Sequence, residues 1–312
     1  MKSFVYIERK DGKPVNGSLE ILTAAAALGE ACAVVFGADG AEQTAPYGAP
    51  VIAIDAAPAC DDEVVALLEA VIREKSPDVV LFSATQAGKD FAPRLAQRLG
   101  GGCVTDAIAL SADGDALLAT RPAYGGTVYE QLKVTGPVKF ATVRSGCFAK
   151  PEAGAPAAIE TVRFPVPEGA VKAKVVETVT EITEAVDLEG AEVIVAGGLG
   201  MGSAEGFQLV EELATLLGGV VGASRPAIEG GWVSRAHQIG QSGKTVAPKL
   251  YIACGISGAM QHISGAVGSK YIVAVNKDPD ASIFKVADVG IVGDALIILP
   301  LMMDEIRARK GL

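Results

Sequence analysis

The sequence has few of the residues from which metal sites and disulfide frameworks are built. It contains two histidines and five cysteines, and the cysteines lie far apart with no C-x-x-C pair. A zinc site needs clustered cysteine and histidine ligands, and a disulfide framework needs paired cysteines. The sequence therefore predicts no bound metal and no disulfides, with the thiols acting as small buried hydrophobic groups.

Basic residues and long apolar runs are also scarce. The net charge is −10, with 27 lysines and arginines against 37 aspartates and glutamates, so we expect no nucleic-acid partner. The best apolar candidate, Val286 to Met303, contains Asp288, Asp294 and Pro300 and is too interrupted to cross a bilayer. The N-terminal residues resemble a strand rather than a targeting peptide, so we expect no membrane insertion and a cytoplasmic location.

Strand and helix patterns alternate in the first hundred residues. Short apolar runs typical of buried parallel strands lie at 4–7, 31–36, 51–54 and 79–82. Acidic residues at 61–63 and Pro77 frame an apolar face that predicts a helix. The pattern over 88–99 predicts a second helix. We expect this helix to begin close to Pro93, because proline favours the first turn of a helix. This alternation indicates an α/β domain.

After residue 102 the alternation of strand and helix patterns gives way to strand patterns. Strand character is found at 117–121, 127–134 and 138–143. The stretch 151–167, rich in Pro, Ala and Gly, is either a linker or an arm that reaches toward a partner. A polar, Val-rich strand is predicted over 172–183.

We place a domain boundary at residue 190. This gives an N-terminal α/β domain over 1–190 and a C-terminal domain over 191–312. Nothing in the first of these carries recognisable chemistry, so we interpret it as a scaffold and partner interface. The second is predicted to be a doubly wound parallel sheet of Rossmann-like type, which makes the fold class α/β with two α/β domains.

A glycine-rich turn opens the second domain. A strand over 192–196 runs into G-G-L-G-M-G-S at 197–203, and a helix follows. Such a turn leaves backbone N–H groups free to bind phosphate, but serine takes the place of the last glycine of G-x-G-x-x-G. Two interpretations of this segment are therefore possible: a phosphate-binding loop and a tight turn without a ligand.

Polar residues follow the later strands of the second domain. Apolar strands are predicted at 250–254, 270–275 and 287–292. They lead to Ser257, Asn276 and Asp294, and His262 is predicted about one and a half turns into the helix after the first of them. Ligands of doubly wound sheets collect outside the carboxyl ends of the strands. This convergence favours a nucleotide cofactor over a plain sheet with glycine turns.

Three stretches carry a resemblance to a known family. They are G-A-S-R-P-A-I-E-G-G-W at 222–232, Q-I-G-Q-S-G-K-T-V-A-P-K-L-Y-I-A-C-G-I-S-G-A-M-Q-H at 238–262, and V-N-K-D-P-D-A-S-I-F-K-V-A-D-V-G-I-V-G-D at 275–294. Here the sequence resembles the alpha subunit of electron-transfer flavoprotein. The resemblance implies FAD as the cofactor, held mainly by the C-terminal domain, and a heterodimer with a beta subunit.

The resemblance also implies roles for individual residues. Arg225 would lie against the flavin ring, and Ser242 would lie near flavin N5 with Gln241 beside it. His262 would lie near the C2 carbonyl, where it and Arg225 would stabilise the reduced ring. Relatives carry Arg in the G-G-R-G turn, whereas this chain has Leu199, so one cation is missing. The other implied FAD contacts are Ser224, Ile239, Gly240, Ser257, Gly258, Ala259, Met260, Gln261, Asn276, Asp294 and Ala295.

The implied activity is electron transfer. The chain would relay electrons between a dehydrogenase, such as an acyl-CoA dehydrogenase of fatty-acid β-oxidation, and a partner oxidoreductase, with or without electron bifurcation. Such a carrier needs no catalytic residue and no organic substrate of its own. The alternatives are a nucleotide-binding sensor and another nucleotide-dependent enzyme with a similar sheet.

Overall fold

The computed structural model describes residues 1–173, 175–177 and 186–311. The chain divides into two units, Met1–Thr180 and Glu181–Leu312. The predicted boundary at residue 190 lies downstream of this division. Leu188 is fully buried in the core of the second unit, where Ile194 and Tyr251 also pack.

The first unit is built around a parallel sheet. Its strands are β1 (Lys2–Tyr6), β2 (Arg9–Lys10), β3 (Lys13–Pro14), β4 (Glu30–Phe36), β5 (Val51–Ile54), β6 (Val79–Ser83), β7 (Gly102–Ala107), β8 (Ala109–Asp113), β9 (Ala116–Ala123), β10 (Val128–Val134), β11 (Lys139–Val143) and β12 (Ile159–Val162). Its helices are α1 (Asn16–Leu28), α2 (Ala38–Thr44), α3 (Asp61–Lys75) and α4 (Gln86–Leu99). Seven strands pair in the order β12-β5-β4-β1-β6-β11-β7, while β8, β9 and β10 form an antiparallel sheet. Buried residues of α1 pack on one face of the large sheet, and those of α3 and α4 pack on the other.

Helices α3 and α4 show what local signals could predict. Helix α3 has acidic residues in its first turn and basic residues in its last, and the predicted helix is confirmed. The start predicted for α4 near Pro93 is wrong. The helix begins at Gln86 because the Thr85 hydroxyl accepts a hydrogen bond from the N–H of Gly88 at 3.1 Å. Pro93 lies inside the helix and omits one backbone donor there.

The proline-rich stretch 151–167 contains an edge strand of the large sheet. Strand β12 pairs in parallel with β5 over four residues, from Ile159 opposite Val51 to Val162 opposite Ile54. This stretch is therefore part of the first unit's sheet rather than a plain linker. The strand predicted over 172–183 is absent from the described residues 172, 173 and 175–177, and the rest of it lies outside the described residues.

The second unit has a five-stranded parallel sheet. Its strands are β13 (Val193–Gly197), β14 (Val220–Ala223), β15 (Leu250–Cys254), β16 (Ile272–Asn276) and β17 (Val289–Val292). Its helices are α5 (Ala204–Leu217), α6 (Arg225–Glu229), α7 (Met260–Ile263) and α8 (Ala295–Lys310). The order β14-β13-β15-β16-β17 is the doubly wound order 2-1-3-4-5, so the predicted fold class is confirmed. In the described part of the chain, no helix combines the length and apolar character that a membrane span requires.

Helix starts at the carboxyl edge of this sheet follow from side-chain caps. The Ser203 hydroxyl accepts from the N–H of Gly206 at the start of α5, and the Asp294 carboxylate accepts from the N–H of Leu296 at the start of α8. The prediction that His262 lies about one and a half turns into a helix is wrong, because α7 begins at Met260 and has a single turn. The preceding segment contains Gly258 at φ +81°, a conformation that does not belong to a right-handed helix.

Candidate cofactor site

A cavity of about 690 Å³ opens at the carboxyl ends of the strands in the second unit. Its size is in the range of small-molecule sites. Loops that follow β13 and β15 contribute to it, and the strand order reverses between these two strands, where doubly wound sheets bind ligands. The wall consists of Leu199, Gly200, Ser224, Arg225, Pro226, Gln238, Ile239, Gly240, Gln241, Ser242, Gly255, Ile256, Ser257, Ala259, Gln261, His262, Asn276, Lys277, Asp294 and Ala295.

Two glycines allow the loops after β13 and β15 to meet. A Cβ at Gly200 would lie 2.7 Å from the Cα of Gly255, and a Cβ at Gly255 would lie 2.8 Å from the carbonyl carbon of Gly200. The N–H of Gly200 donates to the carbonyl of Gly255 at 2.9 Å. A side chain at either position would push the loops apart. Gly200 of the 197–203 turn thus serves close backbone packing, and the turn also contributes to the cavity wall.

Thirteen of the fifteen residues predicted to bind the cofactor line this one cavity. The two exceptions are Gly258 and Met260. The Cα of Gly258 faces another loop, where a Cβ would lie 2.2 Å from the backbone nitrogen of Ile283. Met260 is 57% exposed at the start of α7. The thirteen residues are Ser224, Arg225, Ile239, Gly240, Gln241, Ser242, Ser257, Ala259, Gln261, His262, Asn276, Asp294 and Ala295.

Seven wall residues were not predicted as ligands. Most of them adjoin a predicted residue in the chain, so adjacency was the signal that could have found them. Lys277, next to Asn276, is the one of the seven that has a charged side chain. It is exposed, and its ammonium group has no hydrogen bond or ion pair within the described residues. The seven are Leu199, Gly200, Pro226, Gln238, Gly255, Ile256 and Lys277.

The charged side chains of the wall are Arg225, Lys277 and Asp294. The Nε of Arg225 donates to a carboxylate oxygen of Glu229 at 2.7 Å, one turn further along α6. Both side chains of this pair are well exposed, so the pair contributes little to stability, but the carboxylate offsets part of the arginine's charge. Because Asp294 also caps α8, its carboxylate is oriented by the N–H of Leu296.

Two of the predicted polar ligands are oriented by bonds within the protein. The Asn276 side chain donates to the Ile256 carbonyl at 2.8 Å and accepts from the N–H of Asp278 at 3.0 Å, which ties together the loops after β15 and β16. The Gln238 amide donates to the Ser242 hydroxyl oxygen at 2.9 Å. The Ser242 hydroxyl keeps its own hydrogen to donate.

His262 reaches the cavity wall although only 7% of it is exposed. Its Nε2 lies 2.7 Å from the Tyr251 hydroxyl oxygen, and its Nδ1 lies 3.1 Å from the Ile239 carbonyl oxygen. Burial lowers the pKa of His262 to about 4, so the ring is neutral at pH 7. Both ring nitrogens are thus engaged within the protein. A hydrogen bond to the flavin C2 carbonyl, which the resemblance implies, requires an exchange of one of these partners and stays a prediction.

The donor set fits a dinucleotide. The cations Arg225 and Lys277 suit a cofactor that carries negative charge. The serine hydroxyls and the glutamine and asparagine amides suit sugar and ribityl hydroxyls, and Ile239 and Ile256 provide apolar surface. In the described residues, no cluster of His, Cys, Asp and Glu has the makings of a metal site. The fold and the cavity together define a dinucleotide-binding α/β protein.

Comparison with known proteins narrows this class. The model of the electron transfer flavoprotein domain matches residues 3–169, and that of the electron transfer flavoprotein FAD-binding domain matches residues 187–267. The chain is 38% identical to the electron transfer flavoprotein alpha subunit of Thermoanaerobacterium thermosaccharolyticum, over 98% of both chains. It is 40% identical to the alpha subunit of Bacillus subtilis, over 98% of this chain and 97% of that one. Protein FixB of Clostridium saccharobutylicum is 39% identical, over 95% and 93%.

The chain therefore belongs to the electron transfer flavoprotein alpha subunit family, and its cofactor is FAD. The family resemblance found in the sequence is confirmed. Asn276 and Asp294 lie beyond the segment that the FAD-binding model matches, although they line the same cavity as residues within it.

Proposed function

We propose that this chain works as one half of a heterodimer with an electron transfer flavoprotein beta subunit. It relays electrons between a dehydrogenase, such as an acyl-CoA dehydrogenase, and a partner oxidoreductase. The observation that carries this proposal is that thirteen of the fifteen predicted contacts line the cavity at the strand-order reversal, in a chain of this family. The cytoplasmic location predicted from the sequence belongs to the same proposal, and cell fractionation tests it.

Within the cavity, the proposed arrangement gives each end of FAD its own loops. Arg225 would lie against the flavin ring, with Ser242 and Gln241 near its N5 edge. The loops that follow β15, β16 and β17 would hold the adenosine end through Ser257, Asn276 and Asp294. The proximity of these loops supports this arrangement, since the Asn276 amide already bonds to the carbonyl of Ile256.

Replacement of Asn276 and Asp294 by Leu should lower the FAD content of the purified complex. Because Asp294 caps α8 and its loss would cost about 1 kcal/mol in helix stability, Asp294→Asn is the matched control for the cap. Asparagine keeps a capping oxygen but carries no charge. The flavin absorbance per mole of protein measures retention. Unchanged flavin content in the folded Leu variants would remove these residues from the site.

The heterodimer would use the first unit and the 151–167 arm as its interface. Exposed aromatic side chains on the first unit, Tyr124 at 77% and Tyr129 at 60%, offer surface of the kind enriched at interfaces. The chain expressed alone should lose FAD or self-associate, and it should regain flavin on co-expression with a beta subunit. Size-exclusion chromatography with detection at the flavin band tests this. A stable, fully yellow monomer would show that the partner is not needed.

A further inference from the structure

A buried phenol in the second unit is bonded to the histidine of the cavity wall. Tyr251, on β15, is fully buried, and its hydroxyl oxygen lies 2.7 Å from Nε2 of His262. Its ring packs in the core that also contains Ile194 and Ile239. A buried hydroxyl without a partner is unfavourable, so this hydrogen bond satisfies a group that the core would otherwise exclude. Neither the sequence motifs nor the proposed FAD contacts include Tyr251.

The opposite side of the imidazole determines which nitrogen carries hydrogen. The Nδ1 of His262 lies 3.1 Å from the Ile239 carbonyl oxygen, and a carbonyl oxygen only accepts hydrogen bonds. Nδ1 therefore carries the hydrogen. Because the buried ring is neutral at pH 7, Nε2 has a lone pair and accepts the hydrogen of the Tyr251 hydroxyl.

Backbone bonds hold the loop of His262 against the loop of Ile239. The N–H of Gln241 donates to the Gln261 carbonyl at 2.7 Å, and the N–H of Val246 donates to the Gly265 carbonyl at 2.7 Å. The ring thus has a backbone partner on one side and the Tyr251 hydroxyl on the other. Only the second of these partners is a side chain that substitution can remove.

We propose that Tyr251 is a positioning residue for His262. The Tyr251 hydroxyl holds the imidazole in the Nδ1–H form, with Nε2 as an acceptor. This inference rests on the proposed function, because His262 matters to electron transfer only if the cavity holds the flavin. A tyrosine hydroxyl can donate or accept, so it also serves as an acceptor if Nε2 gains a hydrogen, without movement of either ring. Phenylalanine can do neither.

The two histidines of the chain make this testable by nuclear magnetic resonance. The full chain, labelled with ¹⁵N in its histidine rings, is assembled with an unlabelled beta subunit and measured with and without FAD. His237 is the internal reference. Its Nδ1 also lies against a carbonyl oxygen, that of Val221 at 2.7 Å, while its Nε2 has no partner within the described residues.

Wild-type His262 should show a protonated Nδ1 and an unprotonated, hydrogen-bonded Nε2 at pH 7. In Tyr251→Phe, the Nε2 resonance should shift downfield, because this unprotonated nitrogen has lost its hydrogen-bond donor, while Nδ1 stays protonated and His237 does not move. Tyr271→Phe, which removes a hydroxyl from an exposed tyrosine of the same unit, should leave His262 unchanged. A protonated Nε2 in the wild type, or unmoved His262 resonances in Tyr251→Phe, would overturn the inference. The wild-type measurement decides the tautomer even if Tyr251→Phe does not assemble.

Addition of FAD separates this inference from the proposed function. If the cavity does not hold the flavin, bound FAD leaves both His262 resonances in place, although they still respond to Tyr251→Phe. That result contradicts the proposed function. If FAD moves the His262 resonances but Tyr251→Phe does not, the cavity assignment stands and the role of Tyr251 fails.

Discussion

A fall in pH should lower the free energy of unfolding of the second unit, because this unit contains a buried, neutral histidine. His262 is neutral in the folded protein because burial lowers its pKa to about 4, whereas an exposed histidine has an ordinary pKa of about 6.5. Between these values the unfolded chain binds a proton that the folded chain does not. The contribution of neutral His262 to the free energy of unfolding is therefore fully present above pH 6.5 and is lost as the pH falls toward 4.

The two pKa values set the size of the effect. They differ by about 2.5 pH units, and each unit corresponds to about 1.4 kcal/mol, so the full loss in the free energy of unfolding is about 3 kcal/mol. At pH 5 the loss should be about 2 kcal/mol, because the unfolded histidine is almost fully protonated and the folded one is almost fully neutral. This is a large part of the stability of a typical domain.

Urea unfolding followed by tryptophan fluorescence provides the assay. Trp232 is the single tryptophan of the chain and packs against Phe207 in the second unit, with ring centroids 6.4 Å apart. Wild-type, His262→Gln and His237→Gln chains, freed of flavin, are compared at pH 7.5 and pH 5. The wild type and His237→Gln should lose about 2 kcal/mol more than His262→Gln over this interval. Equal losses in all three chains would refute the reasoning, since carboxylate titration is common to them.

Two further predictions follow from the wall and its supporting loops. Arg225→Ala should make the bound flavin harder to reduce by on the order of 30 mV, equivalent to about 1.4 kcal/mol for two electrons. Glu229→Gln should shift the potential in the opposite direction, because it removes the carboxylate that offsets the charge of Arg225. Spectroelectrochemistry measures both potentials. If both variants keep the wild-type potential, the Arg225 assignment fails. Gly258→Ala should destabilise the second unit by more than Gly202→Ala in urea unfolding. Both glycines have positive φ, worth about 1–3 kcal/mol, but only at Gly258 does a Cβ meet backbone, at Ile283. Equal effects would contradict the close approach.

Local signals predicted most of the elements, and their failures have physical causes. Apolar runs located strands such as 51–54 and 250–254, because strands buried on both faces are continuously apolar. The start of α4 was missed because the cap at Thr85 outweighs Pro93. Strand β12 was missed because it is exposed, and its pairing with β5 depends on a partner about a hundred residues earlier in the chain.

The wall of the site could be predicted better than its internal bonds. Strand order brings the loops after parallel strands to one edge, so any polar residue at a strand exit is a good candidate. Gly258 belongs to such a loop but faces Ile283, and backbone direction in an irregular loop has no simple sequence signal. The pairing of Tyr251 with His262 was also invisible, because a tyrosine within an apolar run is indistinguishable from other core residues until the fold is known.

The charge of the wall bears on how this chain holds a diphosphate without an arginine at position 199. Leu199 is 62% exposed at the cavity, and Lys277 is the wall cation without a protein partner in the described residues. If Lys277 supplies the missing charge, Lys277→Ala should weaken FAD binding about tenfold or more, because hydrogen bonds to charged groups contribute about 1.5–3 kcal/mol.

Lys285→Ala is the matched control, since it removes an exposed cation of the same unit that does not line the cavity. Titration of the complex with FAD at several salt concentrations measures both affinity and its salt dependence. Lys277→Ala should reduce both, and Leu199→Arg in that background should restore them, because either side chain then places one cation on the wall. Equal affinities for the Lys277→Ala and Lys285→Ala complexes would show that Lys277 does not contact the diphosphate. The negative charge of the diphosphate would then be offset by the loop amides and the partner subunit.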